Sequence, residues 1–268
     1  MDASSVRFQF DFASNWSSLG RSIQATSFNR RPYWAGKRRD VRNELQQEGI
    51  SVSTSGILQS TEQFVRDTLA GDSSGHDWWH IDRVRRNALH IAREESADLF
   101  VVELAALLHD IADWKFHDGD ETAGPRAARA WLARNEVDPD TIEAVCDIIS
   151  CVSFKGAGVP TEMTTIEGKC VQDGDRLDAI GAVGIARAFA FGGHFGRAMY
   201  DPGVPPEQHQ SFAAYKAKGG PTINHFYEKL LLLKDRMQTE AGRRLAARRH
   251  QFMELYLKQF FEEWNGFG

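Results

Sequence analysis

From about residue 61 onward, apolar side chains recur with a period near 3.6, and strict two-residue alternation is nearly absent. The pattern predicts helices over residues 61–69, 79–95, 99–112, 122–135, 141–152, 175–191, 222–239 and 242–264. Gly71-Asp72-Ser73-Ser74-Gly75 separates the first two, and residues 156–165 and 192–220 read as loops. Pro125 suits the first turn of its helix, and Asp140 or Thr141 suits the N-cap of the next. Gly181 and Gly184 would let their helix pack closely against another. No internal repeat is present, and the expected architecture is an all-α domain of roughly 200 residues.

Two stretches carry more than packing. His80, Val84, Asn87 and Ile91 fall on one stripe of the second helix. A histidine heading such a stripe alone reads as a satisfied core residue. The apolar run Leu104-Ala105-Ala106-Leu107-Leu108, however, ends abruptly in His109-Asp110, with Asp113 one turn later. Burying imidazole and carboxylate costs several kcal/mol unless a partner waits for them. Downstream, Asp173, Asp175 and Asp178 surround what the pattern reads as a helix start, where capping would explain one aspartate. Capping explains the His-Asp pair less well. Together these residues form a mixed imidazole–carboxylate set, suited to Mn, Fe, Ni, Co or Mg rather than to a thiolate zinc site.

Charge and composition narrow the classes. The chain has 268 residues and a net charge of −5, but residues 1–43 hold eight Lys/Arg against three Asp/Glu. The main body is therefore acidic, which argues against a nucleic-acid partner. No apolar stretch is long enough to span a bilayer. Cys146, Cys151 and Cys170 form neither a disulfide framework nor a zinc spacing, and read as buried thiols of a reducing compartment. The first 43 residues are Ser-rich, Arg-rich and acid-poor, as an organellar transit peptide is; a plain extension is the alternative. Residues 44–60 read as a polar linker. The domain assignment is an N-terminal extension and linker over 1–55, then one domain over 56–268. The protein is expected to be soluble and intracellular, in plastid or mitochondrion if the extension is a transit peptide and otherwise in the cytoplasm.

The ordered series His80, His109-Asp110 and Asp175 resembles the H…HD…D signature of the HD-domain metal-dependent phosphohydrolases. GHDWWHIDRVRRNA, VVELAALLHDIADWKF, SFKG, DGDRLDAIGAVGIARAFAFGG and HFYEKLLLLKDRMQTEAGRRLAARRH are similar to its bacterial YedJ/YpgQ-like branch. The resemblance covers about residues 60–265. It implies an HD-domain helical bundle with the metal between its central helices, held by His80, His109, Asp110 and Asp175. It also implies one divalent ion, manganese foremost, with Mg, Co, Ni or Fe as alternatives. The implied activity is hydrolysis of a nucleotide or similar small phosphate, by hydroxide generated at the ion. Nucleoside triphosphate pyrophosphohydrolysis leads. A phosphomonoesterase and a non-catalytic nucleotide sensor are the alternatives. Asp113 is placed either to handle the water or to support a ligand. Asp178 is expected to support. Lys115 and Lys155 are candidates for substrate phosphate, with surface lysine as the plain alternative, and His76 is a candidate proton donor. Trp78, Trp79 and Trp114 could stack on a base but suit packing better. The basic stretch from Gly242 reads as a solvated helix face. A homodimer is the only macromolecular partner envisaged.

Overall fold

The apolar run that precedes His109 becomes the middle of the molecule. The computed structural model describes residues 53–71, 77–112, 120, 122–153, 163–207 and 220–267, all within one unit, Ser51–Gly268. In it α3 (Leu99–Leu108) buries Val102 and every residue from Leu104 to Leu108. A helix apolar on all sides must be surrounded by others. It is wrapped by α1 (Thr54–Thr68), α2 (Trp78–Glu95), α5 (Pro139–Cys151) and α6 (Ile166–Asp178). Outside this group, α4 (Ala123–Arg134) packs on α5. The chain then runs through α7 (Gly181–His194), α8 (Thr222–Glu228), a 3₁₀ segment (Leu230–Arg236) and α9 (Glu240–Trp264), which lies across α7, α6 and α2. Among the described residues there is no strand, so the all-α expectation holds. No described helix is long and apolar enough to cross a membrane.

Several boundaries differ from the sequence pattern, each for a local reason. α1 starts at Thr54, so the linker reading fails for its last residues. Ser53 caps it, accepting from Gly56 N–H, and Ile57, Thr61 and Val65 form a buried stripe at four-residue spacing. α5 is capped by Asp138, which accepts from Thr141 N–H at 2.9 Å. Pro139 takes the first helical position, pushing the cap upstream of Asp140. The span 222–239 divides because Lys229 leaves helical geometry. Leu230 and Leu233 are then buried at the three-residue spacing of a 3₁₀ turn. Cys146 and Cys170 are buried as expected, but Cys151 is exposed at the end of α5.

The largest departure concerns the aspartates. Residues 175–191 do not form one helix; α6 ends at Asp178, and α7 begins at Gly181 with φ +77°. That left-handed corner suits glycine and is invisible to an apolar period that runs straight through it. Asp173, Asp175 and Asp178 therefore lie within α6 and at its end, not before a helix. The capping explanation fails for them, because the C-terminal end of a helix dipole disfavours carboxylates.

Asp173 has another task. Fully buried, it accepts from Gln238 N–H at 3.0 Å, Thr239 N–H at 2.8 Å and the Thr239 hydroxyl at 2.7 Å. Thr239 in turn caps α9. Two backbones also meet closely nearby. A Cβ built on Gly174 would stand 2.9 Å from Ala88 N, so α6 can approach α2 this closely only with glycine at that position.

Candidate metal centre

The close α2–α6 contact sets the two halves of the centre opposite each other. His80 sits in the first turn of α2, where Asp77 accepts from its N–H at 3.0 Å. His109 follows α3 directly, and Asp175 lies in the last turn of α6. His80, His109 and Asp110 each present a ligand atom, all within 4.8 Å of one another, inside the helical core. His80 Nε2 is the hub: it stands 3.3 Å from His109 Nε2, 3.3 Å from Asp110 Oδ2 and 3.6 Å from Asp175 Oδ1. Both rings are buried, whereas Asp175 keeps a side chain 30% exposed at the edge of the group.

The far nitrogens fix the rings. His109 Nδ1 lies 2.8 Å from the Ala106 carbonyl, an acceptor only, so Nδ1 carries the proton there. His80 Nδ1 lies 2.8 Å from Asp178 Oδ2 and donates likewise. In their neutral forms both rings then turn Nε2 lone pairs toward each other and toward Asp110, and that of His80 faces Asp175 as well. At most one proton fits between the two nitrogens. A set of lone pairs and negative oxygens converging at this distance calls for a cation, and the donor types suit a divalent ion. The residues present therefore fit a metal.

Asp178 anchors the arrangement. Besides His80 it accepts from Arg83 Nε at 2.6 Å and Nη2 at 3.2 Å, and Arg187 Nη1 lies 2.9 Å away. Burial works to raise its pKa, but the hydrogen bonds from His80 and Arg83 and the nearby charges hold it well below the usual carboxylate range. For His80, burial and Arg187 oppose protonation, yet the carboxylates of Asp110 and Asp178 on either side win and lift its value. The support expected of Asp178 is what its contacts show. Arg83 and Arg187 carried no such signal: the first could equally have faced solvent, and the second lies beyond the α6–α7 corner.

His76, Asp113, Lys115 and Lys155 lie outside the described residues, as do Trp114 and the N-terminal extension. Trp78 is buried under the Arg66 guanidinium, 3.8 Å from its ring centre, which is a packing role, while Trp79 is exposed.

Helices wrapped around a histidine–histidine–aspartate centre define an HD-domain protein, and residues 78–180 match the HD domain family. The chain belongs to that family, and within it to a YpgQ-like group. It is 40% identical over 215 residues to the YpgQ protein of Bacillus subtilis, covering 78% of this chain and 96% of that one. Among solved structures, an HD-superfamily hydrolase of Bacillus thuringiensis is 42% identical, with a TM-score of 0.62 over 80% of this chain and 99% of its own. The Bacillus subtilis YpgQ structure in complex with ADP is 38% identical, with a TM-score of 0.61, covering 77% and 97%. This relationship and the buried centre make the chain a metal-dependent hydrolase in its general class.

Proposed function

We propose that this chain hydrolyses a nucleotide or similar small phosphate, using one divalent ion held by His80, His109, Asp110 and Asp175. The observation that carries the reading is the convergence of two imidazole Nε2 atoms and the Asp110 carboxylate, with Asp175 Oδ1 3.6 Å from His80 Nε2 at the edge of the group and each far nitrogen held by an acceptor. A bound ion there supplies an activated water and a Lewis-acid contact to a phosphoryl oxygen. The chain's own work is orientation. Asp178 and the Ala106 carbonyl lock the ring tautomers, and α3 holds His109 rigidly. Asp175, partly exposed, lies where solvent and substrate can reach the centre. Asp113, one helical turn beyond the ligands in sequence, is assigned to the water, His76 to the leaving oxygen, and Lys115 and Lys155 to phosphate. The binding of ADP by YpgQ favours a nucleotide as substrate. Manganese is the first choice of ion for a mixed imidazole–carboxylate set.

The test offers nucleoside mono-, di- and triphosphates to purified protein with Mn, Mg, Co or Ni. Release of pyrophosphate from triphosphates supports the anhydride reading, and phosphate from monophosphates supports a monoesterase. Asp110→Ala should lose both bound metal and turnover; retention of full activity would overturn the site. Asp113→Asn should lower kcat by about 100-fold with metal content unchanged if Asp113 handles the proton. Loss of metal instead would make it a support of the ligands.

A further inference from the structure

A cavity lies on the far side of Asp178 from the metal centre. It has a volume of about 440 Å³ and opens between α2, the α6–α7 corner and α9. That is within the range of small-ligand sites, roughly 300–1,000 Å³. No member of the His80–His109–Asp110 group lines it. Asp178 stands between the two, because His80 turns Nδ1 toward it and Nε2 toward the metal group.

Its wall is strongly positive. Arg83, Arg86, Arg248 and Arg249 all line it, and among the described lining residues the one carboxylate is Asp178, already engaged by His80, Arg83 and Arg187. Arg86 is paired with Asp82. Arg83 spends Nε and Nη2 on Asp178, leaving Nη1. Arg249, half-buried, donates to the Leu177 carbonyl and to Asn87 Oδ1 at 3.1 Å, both neutral acceptors. Burial pulls its pKa down, with the Asp178 charge opposing. Arg248 has no ion pair or hydrogen bond in the described structure. Phe252 and Val183, both exposed, add an apolar side. Guanidinium forks match phosphate oxygens, and an open aromatic face beside them suits a planar or apolar group.

We propose that this cavity is a second binding site, distinct from the metal centre, for a phosphate-bearing small molecule with an apolar or aromatic part. The proposal does not depend on what the metal centre hydrolyses. Arg83 belongs both to this wall and to the support of His80, so an occupant would share a donor with the metal's scaffold.

AMP serves as the probe, titrated calorimetrically into the full-length chain stripped of metal with EDTA, and into Asp110→Ala. Both should bind one equivalent with the same affinity, because neither needs the metal. Arg248→Glu should weaken that binding about tenfold or more, while Arg248→Lys retains most of it. Arg248 is exposed and its side chain has no ion pair or hydrogen bond among the described residues, so folding, read by circular dichroism, should be unchanged. Binding that vanishes with the metal, or that survives Arg248→Glu at full strength, overturns the site. Loss of hydrolysis in Asp110→Ala with AMP binding retained separates this site from the catalytic reading.

Discussion

Asp178 decides how the centre works at the level of single residues. Its carboxylate orients His80 and neutralises Arg83 and Arg187 at once. Asp178→Asn keeps the shape but halves the acceptor capacity and leaves partly buried guanidinium charge uncompensated. Metal affinity should fall about 10- to 100-fold, measured by competition with a chelating dye; unchanged affinity would remove Asp178 from the support of His80. His80 carries a pH signature. Its folded value is raised, so in metal-free protein its contribution to stability is present below the ordinary histidine range and lost as pH climbs through the raised value. Metal binding needs the unprotonated Nε2, so it strengthens over that same climb. The rise in melting temperature on adding Mn²⁺ should therefore be larger at about pH 8 than at about pH 6. A pH-independent rise would mean that His80 is not a ligand. His109 and Asp110 stood out in the sequence because a His-Asp pair cannot end a buried apolar run without a partner; His80 and Asp175 joined them as ligands only through the family resemblance. Arg83 did not stand out, because three residues from His80 along a helix a side chain can face substrate, solvent or a carboxylate equally well.

Among the elements, the sequence concealed the join between α6 and α9. Asp173 is buried and bound to three donors around Gln238 and Thr239, so it fixes where α9 begins. Burial pushes its pKa up even so, with the Thr239 and Gln238 hydrogen bonds opposing. Asp173→Ala strands those donors and should cost roughly 3 kcal/mol in urea unfolding; a loss under about 1 kcal/mol would show that water replaces the carboxylate. Helix existence was readable from period alone for α2, α3, α4, α5 and α9. The α6–α7 corner was not, because the turn rests on the backbone of Gly181, and apolar residues continue on both sides of it. The Arg-rich start of α9 looked like a solvated face in sequence. Arg243 and Arg244 fit that reading, pairing with Glu240 and Glu94. Arg249 does not, since it turns inward to the Leu177 carbonyl. A helical period places residues on faces but cannot say which neighbour covers each face.

For the molecule as a whole, thiol chemistry reports on the integrity of the core. Burial pushes the Cys170 thiol up to about 12 and raises Cys146 as well, while Cys151 is exposed. Iodoacetamide at neutral pH should label Cys151 in the native protein, and Cys146 and Cys170 only after unfolding. Early labelling of Cys170, read by mass spectrometry, would mean that α6 opens locally. Mapping the mature N-terminus tests whether residues 1–55 are removed as a targeting segment.

The contact between Gly174 and Ala88 has a consequence for selectivity. The proposed ligands of the centre are divided between α2, the end of α3 and α6, so the gap offered to an ion would be gauged by how near two main chains can come. Side chains can rotate to accommodate a wider or narrower guest. Two helices touching backbone to backbone act as a fixed stop. With those ligands, the ionic radius accepted would be set partly by a glycine outside the ligand set.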